Sequence, residues 1–214
     1  MRNLLFIILF TQTVFAADVQ ICFETANHYG DGNQFMDIPK ECFDTLTLRN
    51  AAKAEDEKWS VVGENNLIMI KDLQSTKVTS IAGSYSEIDD IKSMLIDSDR
   101  DELYVLSTRN EVKVYWLKLP GNVAPRRIVR NPEGSSIDKM VLDPIKGQLW
   151  LYGSREEELI AVNRDANLMM PPERQKLKIL SRHPASQVEE LSFDKDSKKI
   201  NFKTRQGRRM IVED

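Results

Sequence analysis

The chain has 214 residues, 41% hydrophobic and 29% charged, with 30 Lys and Arg against 33 Asp and Glu for a formal charge of −3. Such a profile fits a globular protein with one substantial core and too little chain for two. It carries no basic field of the kind that holds nucleic acid or an anionic membrane, so neither is an expected partner.

The first sixteen residues read as a secretory signal peptide. Arg2 is a minimal positive region, Leu4–Phe10 an apolar run, and Val14, Phe15 and Ala16 form a cleavage site with Val at −3 and Ala at −1. The run is too short for a stable membrane span. The mature chain is therefore expected to be a single domain over 17–214, exported to the periplasm or secreted, with no membrane insertion. In an oxidising compartment Cys22 and Cys42, the only two cysteines, have each other as partner. A disulfide is the default, and it would stabilise by roughly 3 kcal/mol on the chain-entropy account.

Val19–Glu24 alternates apolar and polar residues and reads as a strand. Thr25–Asn33 is turn-forming, and Met36–Cys42 contains Pro39 and reads as irregular. Phe43–Leu48 then reads as a strand, and Arg49–Glu57 as a polar connector. From Lys58 a strand grammar repeats. The first unit holds Trp59–Val62, the turn Gly63–Asn66, Leu67–Asp72 and Lys77–Ala82. The second holds Met94–Ile96, Leu103–Leu106, Val112–Leu117 and Arg126–Val129. The third holds Met140–Leu142, Leu149–Tyr152, Leu159–Val162 and Lys176–Leu180. The fourth has Leu191–Phe193, Ile200–Lys203 and Arg208–Val212. That leaves the fourth unit one strand short.

Within each of the last three units a short apolar strand ends on an Asp, and a second strand begins six residues later. Asp97, Asp143 and Asp194 recur at intervals of 46 and 51 residues. Short strands at a period in the forties predict an all-β chain, a small β-propeller of four blades. Val19–Glu24 is the spare strand that would complete the fourth blade and close the ring, since an open last blade leaves exposed edges. Two alternatives use the same strands: a sandwich of meanders, and a partial propeller that completes its ring by homo-oligomerising.

Leu142-Asp143-Pro144 with Gly147 and Leu149-Trp150-Leu151, and Ile96-Asp97 with Leu103-Tyr104-Val105, resemble the blade repeats of the YVTN, NHL and gluconolactonase-like propeller superfamily. Leu191–Asp194 with Ile200 is a poorer copy. The resemblance covers roughly Asp90 to Phe202 and implies a propeller rather than one function, because enzymes and binding proteins share these repeats. Each repeated Asp is expected to accept hydrogen bonds from backbone N–H groups two residues on, one turn per blade, rather than share an ion.

The gluconolactonase-like enzymes hold a divalent metal in the central channel through carboxylate and Asn ligands. The positions here that such a role implies are Asp90, Asp138 and Glu189, where an ion such as Ca²⁺ would sit. Solvated loop acids with no cofactor are the competing reading. His28 and His183, the only histidines, have no Ser or Cys spaced as a triad partner, which leaves catalysis thinly supported.

Two other patterns point to binding. The turns Ser107–Asn110, Gly153–Glu156 and Lys203–Gln206 each present a hydroxyl followed by an arginine: Arg109, Arg155 and Arg205. Three arginines on one face suit an acidic partner, and ordinary polar turns are the alternative. Met169 and Met170, beside two prolines in the connection to the third unit's outer strand, are apolar where a turn is expected to be polar. They either contact a partner adaptably or tuck beneath their own blade. The sequence thus predicts an exported binding or scaffold module whose loops recognise a protein or an envelope glycan. A lactonase-like hydrolase with a channel metal and a self-assembling structural subunit are its rivals.

Overall fold

A computed structural model describes residues 40–47, 51–207 and 209–212. The expected signal peptide, the strand at Val19–Glu24, Cys22 and His28 lie outside them. The chain divides into two compact units: residues up to Asp90 with Leu117–Ala124, and Ile91–Trp116 with Pro125 onward. Among the described residues no helix is long and apolar enough to cross a membrane.

The first unit contains helix α1 (Lys40–Thr47) and an antiparallel sheet of β1 (Ala52–Glu55), β2 (Trp59–Glu64), β3 (Leu67–Asp72) and β4 (Val78–Ile81). Cys42 and Phe43 from α1 are buried with Val62, Leu67, Met69, Val78 and Ala82. Leu67–Ile70 is apolar at every position and buried at every position, as a strand covered on both faces must be.

The second unit holds three further sheets. Sheet two runs β5 (Ile91–Asp97), β6 (Glu102–Ser107), β7 (Glu111–Trp116) and β8 (Arg127–Arg130). Sheet three runs β9 (Lys139–Asp143), β10 (Gln148–Gly153), β11 (Glu158–Asn163) and β12 (Ile179–Pro184). Sheet four has β13 (Val188–Asp194), β14 (Lys199–Thr204) and β15 (Arg209–Val212) among the described residues. The first strands β5, β9 and β13 lie side by side, so successive sheets share an inner edge.

Strand period two explains why β10 is apolar from Leu149 to Tyr152. Leu149 and Leu151 join Tyr104, Leu106, Val112 and Val129 of sheet two in one core. The alternating residues Trp150 and Tyr152 join Val188, Ile200 and Phe202 of sheet four in another. Each fully buried aliphatic side chain contributes about 1.5–3 kcal/mol, so the middle sheet is held from both sides.

The turn aspartates bear out their reading at two of three positions. Asp143 Oδ1 accepts from the N–H groups of Ile145 and Lys146 at 3.0 and 2.9 Å. Asp194 Oδ1 accepts from those of Asp196 and Ser197 at 2.9 and 3.1 Å. Sheet one has its own copy of this turn: Asp56 Oδ1 accepts from Lys58 and Trp59 N–H, both at 2.7 Å. Asp97 is different, because its buried carboxylate accepts from Arg164 Nη1 at 3.1 Å.

Three elements differ from their sequence reading. Phe43–Leu48 is not a strand: its residues through Thr47 belong to α1, which starts just after Pro39 and carries Glu41 in its first turn. Apolar residues at 42, 43 and 46 also satisfy helical spacing, and Thr47 Oγ1 donates to the carbonyl of Phe43 one turn back at 2.8 Å. The connector Arg49–Glu57 contains β1, a solvent-edged strand that pairs Ala52–Glu55 with Ser60–Gly63. The outer strand of sheet three begins at Ile179 rather than Lys176, because the preceding residues are tied down elsewhere: Asn167 N–H donates to Gln175 O at 2.9 Å.

Both long connections seal a sheet edge. The loop after β7 pairs with β4: Gly121 N–H donates to Ser80 O at 2.7 Å, and Ala82 N–H to Gly121 O at 3.3 Å. The loop after β11 does the same for β8, with Leu168 N–H donating to Ile128 O at 2.8 Å and Ile128 N–H to Asn167 Oδ1 at 3.3 Å. An outer strand so covered no longer offers its ladder groups to another chain.

Candidate functional site

The three arginines of the sequence reading occupy the same turn in successive sheets: Arg109 between β6 and β7, Arg155 between β10 and β11, and Arg205 between β14 and β15. All three are exposed. The turns that carry them are fixed. Ser107 Oγ accepts from Arg109 N–H at 3.3 Å, and Arg205 N–H donates to Gln187 O at 3.0 Å. Asn110 closes its turn at φ 61°. Its Oδ1 accepts from Ile137 N–H at 3.3 Å and from Lys92 Nζ at 3.2 Å, binding the turn to the segment that enters sheet three.

Asp138 belongs to this frame. Its Oδ2 accepts from Ser154 N–H at 2.7 Å and Ser154 Oγ at 2.5 Å, while Lys92 stands 3.8 Å from Oδ1. Burial works to raise its pKa, but the Ser154 hydrogen bonds and the Lys92 charge outweigh burial and hold the carboxyl below the usual aspartate range. Asp138 thus ties the turn that carries Arg155 to the segment entering sheet three. Asp90 and Glu189 are exposed. Among the described residues no group of three or more His, Cys, Asp or Glu converges as metal ligands. His183 lies on β12, 3.2 Å from Ser181 Oγ through Nε2, and tilts against Trp150 at 5.5 Å between ring centroids.

At the other end of sheets two and three lies a charge cluster that the sequence reading missed. Glu102 is fully buried, and Arg127 grips it with both arms, Nη1 to Oε1 at 2.8 Å and Nη2 to Oε2 at 2.6 Å. Tyr104 Oη adds a third donor at 3.1 Å and Arg126 Nη1 a fourth at 2.5 Å. Burial opposes ionisation of Glu102, yet Arg127, Tyr104 and Arg126 together hold it below the ordinary glutamate range. Burial and the neighbouring Glu102 charge push the Tyr104 hydroxyl well up. Around this centre Arg164 pairs with Asp97 at 3.1 Å and Arg100 with Asp165 at 2.5 Å. Period two carried the missing signal, since Glu102 shares a strand face with Tyr104 and Leu106, and both of those lie in the core.

Met169 and Met170 are 56% and 48% exposed. Of the two placements open to them, they take the outward one. The loop beneath them is held rather than loose: Asn167 Oδ1 accepts from Met169 N–H at 3.0 Å, and Gln175 Nε2 donates to Met170 O at 3.0 Å.

No family profile matches the chain, and no curated protein matches it. Among solved structures it is similar to a chain in the crystal structure of a mitotic checkpoint complex, with a TM-score of 0.56, 11% identity, and coverage of 76% of this chain and 46% of that one. It is similar to the WD40 domain of Toxoplasma gondii coronin, with a TM-score of 0.54, 12% identity, and coverage of 76% and 42%. It is also similar to the β-propeller domain of Myceliophteria thermophila Cps50 (Swd1), with a TM-score of 0.52, 9% identity, and coverage of 72% and 46%. The chain spans less than half the length of each. At such identities the likeness shows the fold alone. Together with the four antiparallel sheets it establishes an all-β protein of the β-propeller class.

Proposed function

We propose that this chain is an exported binding module whose row of turn arginines, Arg109, Arg155 and Arg205, recognises an acidic protein partner. One observation carries the reading: the three side chains stand exposed on equivalent turns of successive sheets, each turn fixed by its own hydrogen bonds. A rigid framework that offers loops for recognition is a common use of this architecture. The proposal keeps the YVTN/NHL-like kinship of the blades, closure of sheet four by Val19–Glu24, and a Cys22–Cys42 disulfide, which peptide mapping without reductant checks.

The test is affinity capture from an extract of the native source with the full mature chain, compared with an Arg109→Ala, Arg155→Ala, Arg205→Ala variant. Capture of an acidic protein by the wild type, with at least tenfold less by the variant at unchanged melting temperature, supports the reading. Equal capture by both sinks it. Elemental analysis separates it from a lactonase-like hydrolase: a stoichiometric divalent metal, Ca²⁺ for example, lost on Asp138→Asn would favour the enzyme. An envelope glycan as ligand would instead show as sugar-competed binding.

A further inference from the structure

Among the described residues the methionines fall into two groups. Met69 on β3, Met94 on β5 and Met140 on β9 are buried. Met69 packs with Cys42, Phe43 and Val62, and Met140 with Leu142, Leu149 and Leu151. Met169 and Met170, adjacent in the connection between β11 and β12, are instead half exposed. A thioether meets an oxidant through a sulfur lone pair, so access decides which methionine reacts.

The backbone beneath the exposed pair is held by groups other than sulfur. Asn167 Oδ1 accepts from Met169 N–H at 3.0 Å and Asn167 O from Met170 N–H at 3.2 Å, while Gln175 Nε2 donates to Met170 O at 3.0 Å. Leu168 N–H, next in line, donates to Ile128 O at 2.8 Å. A chemical change at either thioether leaves all four bonds in place. The buried methionines respond in the opposite way. A sulfoxide carries a polar oxygen, and setting it among the apolar side chains around Met69 would cost the hydration of that oxygen.

We propose that Met169 and Met170 form a modification site for small peroxides, hydrogen peroxide above all, and that the product is a surface sulfoxide on an unchanged fold. The sulfur lone pair attacks one peroxide oxygen, and the S–O bond forms as the O–O bond breaks. Sulfur loses two electrons, and the departing hydroxide takes the proton of the transferred oxygen and leaves as water. Each event turns an apolar side chain polar at that surface, while the bonds to Asn167 and Gln175 keep the loop in place. Exposure also opens the sulfoxide to a thiol-dependent sulfoxide reductase. There the oxygen departs as water, the thioether returns and the reductase's thiol pair closes to a disulfide.

A time course of the full chain with hydrogen peroxide, quenched with free methionine and mapped by peptide mass spectrometry, tests this. The tryptic peptide Asp165–Arg174 carries both residues. It is expected to gain oxygen roughly tenfold faster, or more, than the peptides holding Met69, Met94 and Met140. In urea-unfolded chain the rates should converge, which assigns the difference to the fold and not to local sequence. Chain oxidised at Asp165–Arg174 alone should melt like untreated chain, and treatment with sulfoxide reductases and dithiothreitol should return that peptide to its starting mass. Equal rates for buried and exposed methionines in the folded chain overturn the inference, as does a rate difference that persists in urea. A clear fall in melting temperature after oxidation confined to Asp165–Arg174 overturns it too, as do sulfoxides there that the reductases leave in place.

Discussion

Arg127 and Glu102 meet fork to fork in the core of sheet two, with the Arg127 side chain 7% exposed and that of Glu102 not exposed at all. The pair bonds the start of β6 to the start of β8, two strands that do not neighbour each other in the sheet. Removing one partner of a buried ion pair strands the other charge, which typically costs about 3–5 kcal/mol. Arg127→Met is therefore expected to lose about 3 kcal/mol in urea unfolding, since Arg126 still holds one oxygen of Glu102. The double variant Glu102→Gln/Arg127→Met should lose clearly less than the sum of the singles. A loss under about 1 kcal/mol for Arg127→Met would show that the pair is not what braces these strands.

The same carboxylate sets a pH dependence. Its folded pKa is depressed, so its contribution to stability is fully present above the unfolded glutamate value and disappears as pH falls through the still lower folded value. Asp97 acts in the opposite sense. Burial raises its pKa despite Arg164, so protonation of Asp97 favours the fold as pH falls through its raised value. Glu102→Gln is expected to flatten the acid limb of the stability curve below about pH 4.5, and Asp97→Asn to steepen it. Melting temperatures between pH 3 and 7 decide the matter; parallel curves for Glu102→Gln and wild type would refute it.

Asp143 holds its turn through two backbone N–H bonds. Asp143→Ala should cost about 1–3 kcal/mol, the range for losing hydrogen bonds to a charged group. Asp143→Asn, which keeps an acceptor oxygen, should recover more than half of it. Equal losses for the two variants would mean that the charge, not the turn geometry, matters.

Gly153 marks a close approach between the Arg155 turn and the segment entering sheet three. A Cβ there would stand 2.6 Å from the backbone oxygen of Ser136 and 2.6 Å from Glu156 Oε2. The carboxylate can swing away; the carbonyl cannot move without shifting the backbone that leads into sheet three. Gly153→Ala is expected to destabilise by about 1–3 kcal/mol and to disturb the amide signals of Ser154 and Asp138 in NMR spectra. Unchanged signals would show that the segment yields freely.

The repeat was legible in sequence because it rests on local rules. Leu149-Trp150-Leu151-Tyr152 is apolar on alternating faces that are both buried, and Asp143 and Asp194 make turns that need no tertiary partner. The exposure of Arg109, Arg155 and Arg205 followed from their place in tight turns. Short segments failed wherever two periods fit equally well: apolar residues at 42, 43 and 46 allow strand or helix, and packing of Cys42 and Phe43 against sheet one decides for helix. The ion-pair centre was also out of reach as an assembly. Glu102, Arg126 and Arg127 meet only when sheet two forms, and Arg164 reaches Asp97 only when sheet three packs beside it, and spacing along the chain does not encode which charge meets which. Local sequence thus determined the strands, their turns and their repeat. Tertiary structure alone decided which carboxylates brace the fold and that Met169 and Met170 face outward, because burial and partner choice depend on contacts between distant segments.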